Sequence, residues 1–511
     1  MKASMKRSVS LCALFSISIV AVVAAFASGC APTMSSPAEY ADQPISAEAG
    51  KEYFQHLGGG DPYATGIAYP IFLAFMESYP QELGKDWNEL AEKFGFNLDP
   101  AAHGDPRVVP IGFHLVTDPN SGVPWLVANC QMCHAERLRL ESGDVIVPGL
   151  GNKRVRPHAY ANALMRIGTD PKLDAGRIQE LATKRAKEWS VPWLEPVRGP
   201  IVNATIKAFK AQSAKRAGAI KRFDVALPGR MATIEAFQIA LDGYRARPLP
   251  VQEAIGWSKV PDVRGFPFRD TFSYDASGYG SPQALVLEAD FLFGARPEWY
   301  LSHPHVATSM YLYLKGFSRK LPYPKAVDGE LVSYGKTAFE ASCAKCHGYY
   351  VDHGNGEMRV SYRERVIPIE QVGTDSARLD AVTPAFVEAA NAFPLTRGYT
   401  RVRNSGGYVP PVLLDLWARG IFGHAGQWPS LEALATPPEE RPRHFIVDTN
   451  GLYDLDRVGV RYEVPMSPRA LKAGEYAYDG DKVGYRVEGH PFLSRLAPAD
   501  RKAVIEYLKT L

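Results

Sequence analysis

Cysteine is scarce in this chain of 511 residues, which contains only six. Cys12 and Cys30 lie within the first thirty residues, and the other four form two Cys-x-x-Cys pairs, each followed at once by histidine. If both pairs are used, the chain after residue 30 has no cysteine left for a disulfide. A small fold that depends on a disulfide framework is therefore excluded.

Excess charge and long apolar runs are also lacking. The formal net charge is +3, which gives no indication of nucleic-acid binding. Beyond the N-terminal segment, no apolar run approaches the roughly 18 residues that cross a bilayer. Hydrophobic residues make up 46% and charged residues 22% of the chain, as in globular proteins. The 40 prolines and 44 glycines predict many turns and short elements.

The N-terminal segment has the features of a secretory signal. A basic start precedes an apolar run over residues 8–26, and small residues then lead to Cys30. We predict a lipoprotein-type signal over residues 1–30, with Cys30 as the lipidated position. An ordinary cleaved signal and an uncleaved anchor helix are the alternatives. Residues 31–48 are expected to form a flexible tether, and the mature chain is expected in the periplasm, touching the membrane only through its lipid.

Two segments of the Cys-x-x-Cys-His type suggest the chemistry. In such a motif both thiols add to the vinyl groups of haem, and the adjacent histidine ligates the iron. Zinc would need four ligands per site, and a redox dithiol would not need the repeated histidine. The sequence therefore predicts two covalently bound haem c groups. The predicted attachment residues and iron ligands are Cys130, Cys133 and His134 for the first, and Cys343, Cys346 and His347 for the second.

The sixth ligand of each iron decides between electron transfer and catalysis. A strong sixth ligand favours electron transfer, whereas an open position allows an oxidant to bind. Spacing favours no residue for the first iron, and for the second it disfavours His353, which is too close in sequence to reach the far haem face easily. The candidates for the first haem are His114, His158, Met165, Met231, His303, His305 and Met310. The candidates for the second are His353, Met358, His424, His444, Met466 and His490.

The expected fold class is mainly α, with two cytochrome c-like haem domains built from short helices and many loops. The N-terminal haem domain is predicted over residues 49–325 and the C-terminal cytochrome c domain over residues 326–511, with a boundary at the proline-containing segment 321–324. Apolar periodicity predicts a helix over residues 329–342, leading into the second haem motif, and an amphipathic helix over residues 497–511.

Further motifs accompany the two haem segments. Each haem segment is followed, after about thirty residues, by Gly-Thr-Asp, which indicates a weak internal repeat. With these motifs the chain resembles the bacterial di-haem cytochromes that include cytochrome c peroxidases, the methylamine dehydrogenase maturation enzyme and the rubber oxygenases, and it is most similar to the rubber-oxygenase-like branch. The matching segments are 147–151, 168–170, 227–230, 373–375, 423–431, 489–490 and 506–511.

The resemblance implies a division of labour, with one six-coordinate haem handling electrons and the other meeting an oxidant. His490 matches the distal ligand of the second haem, His424 matches a histidine that lies beside the haem in the peroxidases, and Met466 is the late methionine alternative. Glu288 matches an acidic residue that moves protons during O–O cleavage. The Trp-Asp-Gly segment common in the family is replaced by residues 272–278, which lack the tryptophan.

The predicted function is that of an exported di-haem oxidoreductase that reduces or activates peroxide or dioxygen at one haem and transfers electrons through the other. The alternative is a non-catalytic di-haem electron-transfer protein that serves a partner dehydrogenase. The expected partners are a small-molecule oxidant or substrate and an electron donor or acceptor protein, and no nucleic acid. Unequal surroundings for the two haems favour the enzyme.

Overall fold

The structure is a computed structural model. It describes residues 44–57, 66–99, 108–118, 121–193, 195–281, 299, 302–393 and 398–511. The predicted signal, the tether up to residue 43 and Glu288 lie outside the described residues. Among the described residues, none of the helices combines the length and the apolar character that crossing a membrane requires.

Most of the described helices are short. The α-helices are α1 Ala47–Glu52, α2 Tyr69–Ser78, α3 Pro80–Leu83, α4 Trp87–Phe94, α5 Gln131–His134, α6 Pro157–Thr169, α7 Ala175–Glu188, α8 Glu195–Lys221, α9 Thr233–Asp242, α10 Pro304–Lys315, α11 Gly329–Ser342, α12 Ala344–His347, α13 Ile369–Val372, α14 Ala377–Asp380, α15 Pro384–Ala392, α16 Leu431–Ala435 and α17 Pro498–Leu508. A π-helical turn, Tyr53–Leu57, follows α1, and 3₁₀ turns occur at Phe266–Phe268, Gly316–Ser318, Leu416–Ala418 and Pro438–Glu440.

The described strands form seven small antiparallel sheets. Two of these sheets have three strands, ordered β1-β3-β2 and β15-β14-β16, and the other five are two-stranded. The strands are β1 Gly66–Ala68, β2 Phe113–Thr117, β3 Pro124–Ala128, β4 Ala135–Leu140, β5 Gly143–Pro148, β6 Arg230–Met231, β7 Ser258–Lys259, β8 Gly278–Gly280, β9 Tyr349–Asp352, β10 Met358–Ser361, β11 Ile367–Pro368, β12 Thr400–Val402, β13 Gly407–Tyr408, β14 His444–Asp448, β15 Arg461–Glu463 and β16 Glu475–Asp479.

The mainly α prediction is wrong, because helix accounts for 41% and strand for 17% of the structure. The missed strands lie between the helices and are rich in β-branched and aromatic residues. In β14, Phe445, Ile446 and Val447 are buried and pair with the alternating sequence of β16. Side chains of this kind pack well on a pleated, half-buried surface. The predicted fold consisted of helices and loops packed around a cofactor, and it did not include these sheets.

The two predicted helices of the second half are confirmed. Helix α11 spans Gly329–Ser342 as predicted, and α17 covers most of the predicted terminal helix. The two helices cross closely at Gly335, where a Cβ atom would lie 1.9 Å from the carbonyl oxygen of Ala503. Beside this crossing, the rings of Phe339 and Tyr507 pack with centroids 5.3 Å apart. The terminal helix thereby fixes the helix that leads into Cys343.

The apolar core extends across the predicted boundary near residue 325. One cluster joins Leu138 and Leu150 to Trp417 and Leu508. A division of this chain into residues 49–325 and 326–511 stays a prediction. Because the two segments share buried side chains, we expect them to unfold together.

Candidate functional site

The first Cys-x-x-Cys-His segment is a single tight turn between two strands. Strand β3 leads into helix α5, which ends at His134, and β4 begins at the next residue. The backbone N–H of Asn152 donates to the carbonyl of Cys133 at 2.7 Å, and the Asn152 side chain donates to the carbonyl of Met132 at 3.3 Å. These two hydrogen bonds from the buried Asn152 fix the turn, so the two cysteines and the histidine have a defined orientation.

His134 is oriented by a proline carbonyl. Its Nδ1–H donates to the carbonyl oxygen of Pro261 at 3.0 Å. Burial lowers the pKa of His134 to about 4, although this bond and the carboxylate of Asp262 oppose the shift. The imidazole is therefore neutral at pH 7, with the proton on Nδ1 and the lone pair on Nε2. Metal-bound histidines have this arrangement, because the bond at one ring nitrogen fixes the tautomer and direction of the other.

The second segment is built in the same way. Helix α11 ends at the residue before Cys343, and α12 carries the segment to His347. The Nδ1–H of His347 donates to the carbonyl oxygen of Pro411 at 2.9 Å. Tyr350 supports this geometry, since its hydroxyl donates to the carbonyl of His347 at 2.6 Å and accepts from the N–H of Leu413 at 2.8 Å. His134 and His347 lie far apart in sequence, and each donates from Nδ1 to the carbonyl oxygen of a proline.

The four cysteines of these segments are free thiols in the structure. Burial raises the pKa of Cys133 to about 12 and that of Cys343 to about 11. As free groups, the buried Cys133 thiol and the partly buried Cys343 thiol would both be neutral, which does not suit a redox dithiol that needs a thiolate at neutral pH. The surroundings suit sulfur atoms in thioether bonds.

A second histidine faces His347. The ring centroids of His347 and His490 lie 6.2 Å apart, with the planes tilted by 58°. Two imidazoles that each bind one metal ion at a nitrogen–metal distance of about 2 Å have centroids separated by roughly 6 Å. Burial lowers the pKa of His490 to about 3, so this imidazole is also neutral. The pair fits a metal ion held between two axial histidines.

The backbone at His490 is held in an uncommon conformation. His490 has a φ angle of 46°, which non-glycine residues rarely adopt, and Gly489 before it has a φ angle of 97°. The N–H of His490 donates to the carbonyl of Val372 at 2.7 Å. A Cβ atom at Gly489 would lie 2.8 Å from the backbone of Thr374. The second Gly-Thr-Asp segment therefore forms the wall against which the Gly-His turn is built.

Arg441 fastens the same turn from the other side. Its side chain is 3% exposed and lies over the ring of Trp428, 5.0 Å from the centroid. The Trp428 indole donates to the carbonyl of Val487 at 2.9 Å, and its ring packs 6.1 Å from that of His490. Arg441 donates to five backbone carbonyls, those of Leu434, Thr436, Val487, Gly489 and His490. A strained residue persists only when its surroundings over-determine it, and these bonds do so.

His424 and Met466, the other two candidates that the resemblance singled out for the second iron, lie elsewhere. His424 is buried, its Nδ1 lies 3.2 Å from the Gln427 amide, and its Nε2 lies 3.4 Å from the Tyr408 hydroxyl. Both of its ring nitrogens have protein partners. The side chain of Met466 is fully exposed, and it makes none of the contacts recorded for His347. The geometry favours His490.

A large cavity opens at the first segment. Its volume, counted as the space that the centre of a water molecule can occupy, is 230 Å³. On the same measure, a single water molecule needs roughly 10–15 Å³. Its lining includes Cys130, Cys133, His134 and Pro261, together with an apolar wall that contains Phe54, Phe237, Phe266 and Phe386. The concave, mainly apolar shape next to the cysteines fits a planar aromatic group attached through them.

The cavity narrows the choice of a sixth ligand at the first site. Of the seven histidines and methionines predicted as candidates, Met231 and Met310 are the two that line it among the described residues. His158 accepts from the N–H of Ala232 at 2.9 Å, and His303 lies against the carbonyl of Trp299 at 2.7 Å. No histidine other than His134 lines the cavity in the described part of the chain. The two sites therefore differ. His490 faces His347 at the second site, whereas no second histidine lines the cavity of His134 among the described residues.

The segment of residues 272–278 also reaches this cavity. Tyr274 lines it, and its hydroxyl is buried with no hydrogen-bond partner among the described residues. The neighbouring Asp275 is fully buried and ion-paired at 3.3 Å with Arg378, which also lines the cavity. The ion pair with Arg378 helps hold the pKa of Asp275 below its usual range, although burial opposes the shift. A neutral phenol and a fixed ion pair thus border the cavity.

The two sites are joined through a short stretch of chain. Pro411, which accepts from His347, also lines the cavity of His134. Arg419 lies nearby and is ion-paired at 3.3 Å with Asp262, the residue after Pro261. Its guanidinium also donates to the carbonyl of Val412 at 2.6 Å. The supports of the two histidines therefore belong to one buried network.

Sequence reasoning missed Pro261, Pro411 and Arg441. The two prolines stand in Val-Pro and Pro-Pro-Val segments that look like ordinary turn signals. Their role is visible only when a distant histidine is placed against their carbonyls. Arg441 lies in a charged, proline-containing stretch that resembles a surface loop, and the sequence contains no sign of its burial.

Comparisons with known proteins do not assign this chain to a family. No family model matches the chain. The chain is 25% identical over 243 residues to the uncharacterized protein y4iJ of Sinorhizobium fredii, a match that covers 36% of this chain and 39% of that protein. The chain thus spans well under half the length of this relative. The name of this relative assigns it no activity.

Proposed function

We propose that this chain is an exported di-haem c-type cytochrome that acts as an oxidoreductase on peroxide or dioxygen. The observation that carries the proposal is the repeated construction of the two Cys-x-x-Cys-His segments, in which a neutral histidine is held by a proline carbonyl at 3.0 Å in one and 2.9 Å in the other. A structural zinc site or a redox dithiol would not need this pairing twice.

The residues present fit haem at both sites. Cys130 and Cys133 border the large, mainly apolar cavity of the first site, and Cys343 and Cys346 lie on the turn that leads to His347. A haem bound at each site supplies a redox-active iron. The protein contributes the tether, the imidazole direction and the exclusion of water, since phenylalanine rings form much of the first wall.

The two sites are unequal, and this supports catalysis at one of them. His490 faces His347 at a separation that suits two axial ligands, so the second site is proposed for electron transfer. At the first site no histidine other than His134 lines the cavity among the described residues. We propose that peroxide or dioxygen binds there, opposite His134.

The shared network supports electron exchange between the sites. Pro411 touches both, because its carbonyl holds His347 while the residue lines the first cavity. The proposed function includes a redox partner protein, which donates or accepts electrons at the second site. Export and lipid attachment rest on the sequence features before Cys30.

A non-catalytic electron carrier is the second candidate, and one observation favours it. The sulfur-containing residues Met231 and Met310 both line the first cavity. A methionine sulfur is a common sixth ligand of electron-transfer haem. If either sulfur bound the first iron, both sites would be closed to an oxidant.

Electron paramagnetic resonance and carbon monoxide binding separate the two candidates. The enzyme reading predicts one low-spin haem and one haem that is high-spin or binds carbon monoxide after reduction. Two low-spin haems that bind neither cyanide nor carbon monoxide would remove it. Met231→Leu and Met310→Leu then identify a ligand, because only the loss of a bound sulfur converts a low-spin signal to a high-spin one. Under the enzyme proposal, both variants keep the wild-type spectrum.

A further inference from the structure

A second, smaller cleft lies outside the cavity described above and is lined by an excess of cations. It is formed where hairpin β4–β5 and the segment after it meet the sheet of β14, β15 and β16. The cationic lining residues are Arg137, Arg139, Lys153, Arg154 and Arg461, and the acidic ones are Glu136 and Asp448. None of these residues lines the first cavity.

The nearby carboxylates are already engaged. Glu136 bonds Lys153 twice, through the ammonium group at 3.0 Å and through the backbone N–H at 2.7 Å. Asp144 lies between Arg137 and Arg139, at 3.8 Å and 3.4 Å. The carboxylate of Asp448 accepts from the backbone N–H of a residue in its own turn at 2.9 Å. Glu136 and Asp144 attract the charge of Arg154, but neither forms an ion pair with it among the described residues.

The guanidinium group of Arg154 is incompletely hydrogen-bonded. Its Nη1 is buried and, among the described residues, has no hydrogen-bond partner, and the same holds for Nε of Arg137. Burial, followed by the repulsion of Arg137 and Arg139, lowers the pKa of Arg154 to about 10, still well above neutral. Arg154 is partly exposed, but a cationic guanidinium with one buried N–H group that lacks an acceptor is costly, and an anion that accepts from this group would remove the cost.

The size of the cleft limits what can bind. It has 20 Å³ of room for the centre of a water-sized sphere, against the roughly 10–15 Å³ that a single water needs. An organic molecule does not fit, whereas a small inorganic oxyanion does. Guanidinium groups bind phosphate and sulfate through paired N–H donors. We propose that this cleft is a binding site for an inorganic tetrahedral oxyanion, phosphate or sulfate, with Arg154 and Arg137 as its principal donors.

The site also has a position from which it can act on the first Cys-x-x-Cys-His segment. Arg154 follows Asn152 by two residues, and the Asn152 amide holds the turn of Cys133. The backbone N–H of Arg154 donates to the Asn152 side chain at 2.9 Å. Anion binding would therefore stiffen the support of that turn.

Isothermal titration calorimetry of the full chain, as purified, with inorganic phosphate tests the proposal. We expect saturable binding with a dissociation constant of about 1 mM or lower, at least tenfold weaker binding in Arg154→Gln, and no change in Arg177→Gln, which removes an exposed arginine elsewhere. Sulfate should compete with phosphate, and chloride at the same concentration should not. No saturable heat with the wild-type chain, or equal affinity in Arg154→Gln, would overturn the proposal.

A thermal-shift series covers the case in which a variant folds poorly. Arg154→Lys keeps the charge and loses the planar fork, so we expect phosphate to bind several-fold more weakly than in the wild-type chain. Phosphate should raise the melting temperature of the wild-type chain more than that of Arg154→Lys, because at a given ligand concentration tighter binding to the folded state stabilises it more. Equal shifts in the two chains would contradict the assignment of Arg154.

Discussion

Arg441 gives the sharpest prediction about the second site. In Arg441→Ala, five backbone carbonyls lose the hydrogen bond from Arg441, including those of Gly489 at 2.5 Å and His490 at 3.3 Å, while the Val487 carbonyl keeps its bond from Trp428. A hydrogen bond to a charged group contributes about 1.5–3 kcal/mol, but water entering the truncated site replaces part of this. We therefore expect the free energy of unfolding to fall by about 3–4 kcal/mol. The turn that strains His490 would relax, because its other supports are few.

The assay combines denaturant unfolding with electron paramagnetic resonance of the oxidised protein. Arg441→Ala should lose part of the low-spin signal of the second haem, while the signal of the first haem stays unchanged. Arg443→Ala is the matched control, since that arginine lies two residues away, is 47% exposed and pairs with Asp481 and Glu488 at the surface. We expect it to cost less than about 1 kcal/mol with no spectral change. If Arg441→Ala behaved like this control, the positioning argument would be refuted.

Two further predictions concern a glycine and a buried histidine. Gly489→Ala places a Cβ atom 2.8 Å from the backbone of Thr374 at a φ angle of 97°, so we expect about 2 kcal/mol of destabilisation and a weakened second low-spin signal; wild-type spectra and stability would contradict it. Burial lowers the pKa of His158 to about 4. Since the unfolded chain takes up this proton below about pH 6.5, the stabilisation is complete above pH 6.5 and is lost as the pH falls toward 4. In His158→Gln, the dependence of the free energy of unfolding on pH should flatten by up to about 1.4 kcal/mol per unit in this range, and an unchanged slope would argue against a neutral His158.

The sequence was sufficient for elements that depend on local patterns. Helix α11 has its N-cap at Asp328 and an apolar face that includes Phe339, and the structure has the bounds that these features predict. The terminal helix has a proline at its first turn and buries Val504 and Tyr507. In both helices, periodicity and end signals lie within a few residues of each other.

The remainder depends on contacts between distant segments. The seven sheets are short, and strands such as β6 and β7 contain only two residues, too few for a period of two to be visible. His490 was named from a resemblance, but its 6.2 Å separation from His347 arises from a turn shaped by Val372 and Arg441. No local pattern encodes that turn, because its supports lie in separate parts of the chain.

The central claim is that the four thiols at residues 130, 133, 343 and 346 hold two haem groups. Intact-mass spectrometry of the denatured, purified protein, combined with its visible absorption spectrum, tests this most directly. The account predicts a mass that exceeds that of the processed polypeptide by two haem groups, and by one group in the Cys130→Ser, Cys133→Ser double variant. A polypeptide mass without any addition, and no haem absorption band, would contradict it.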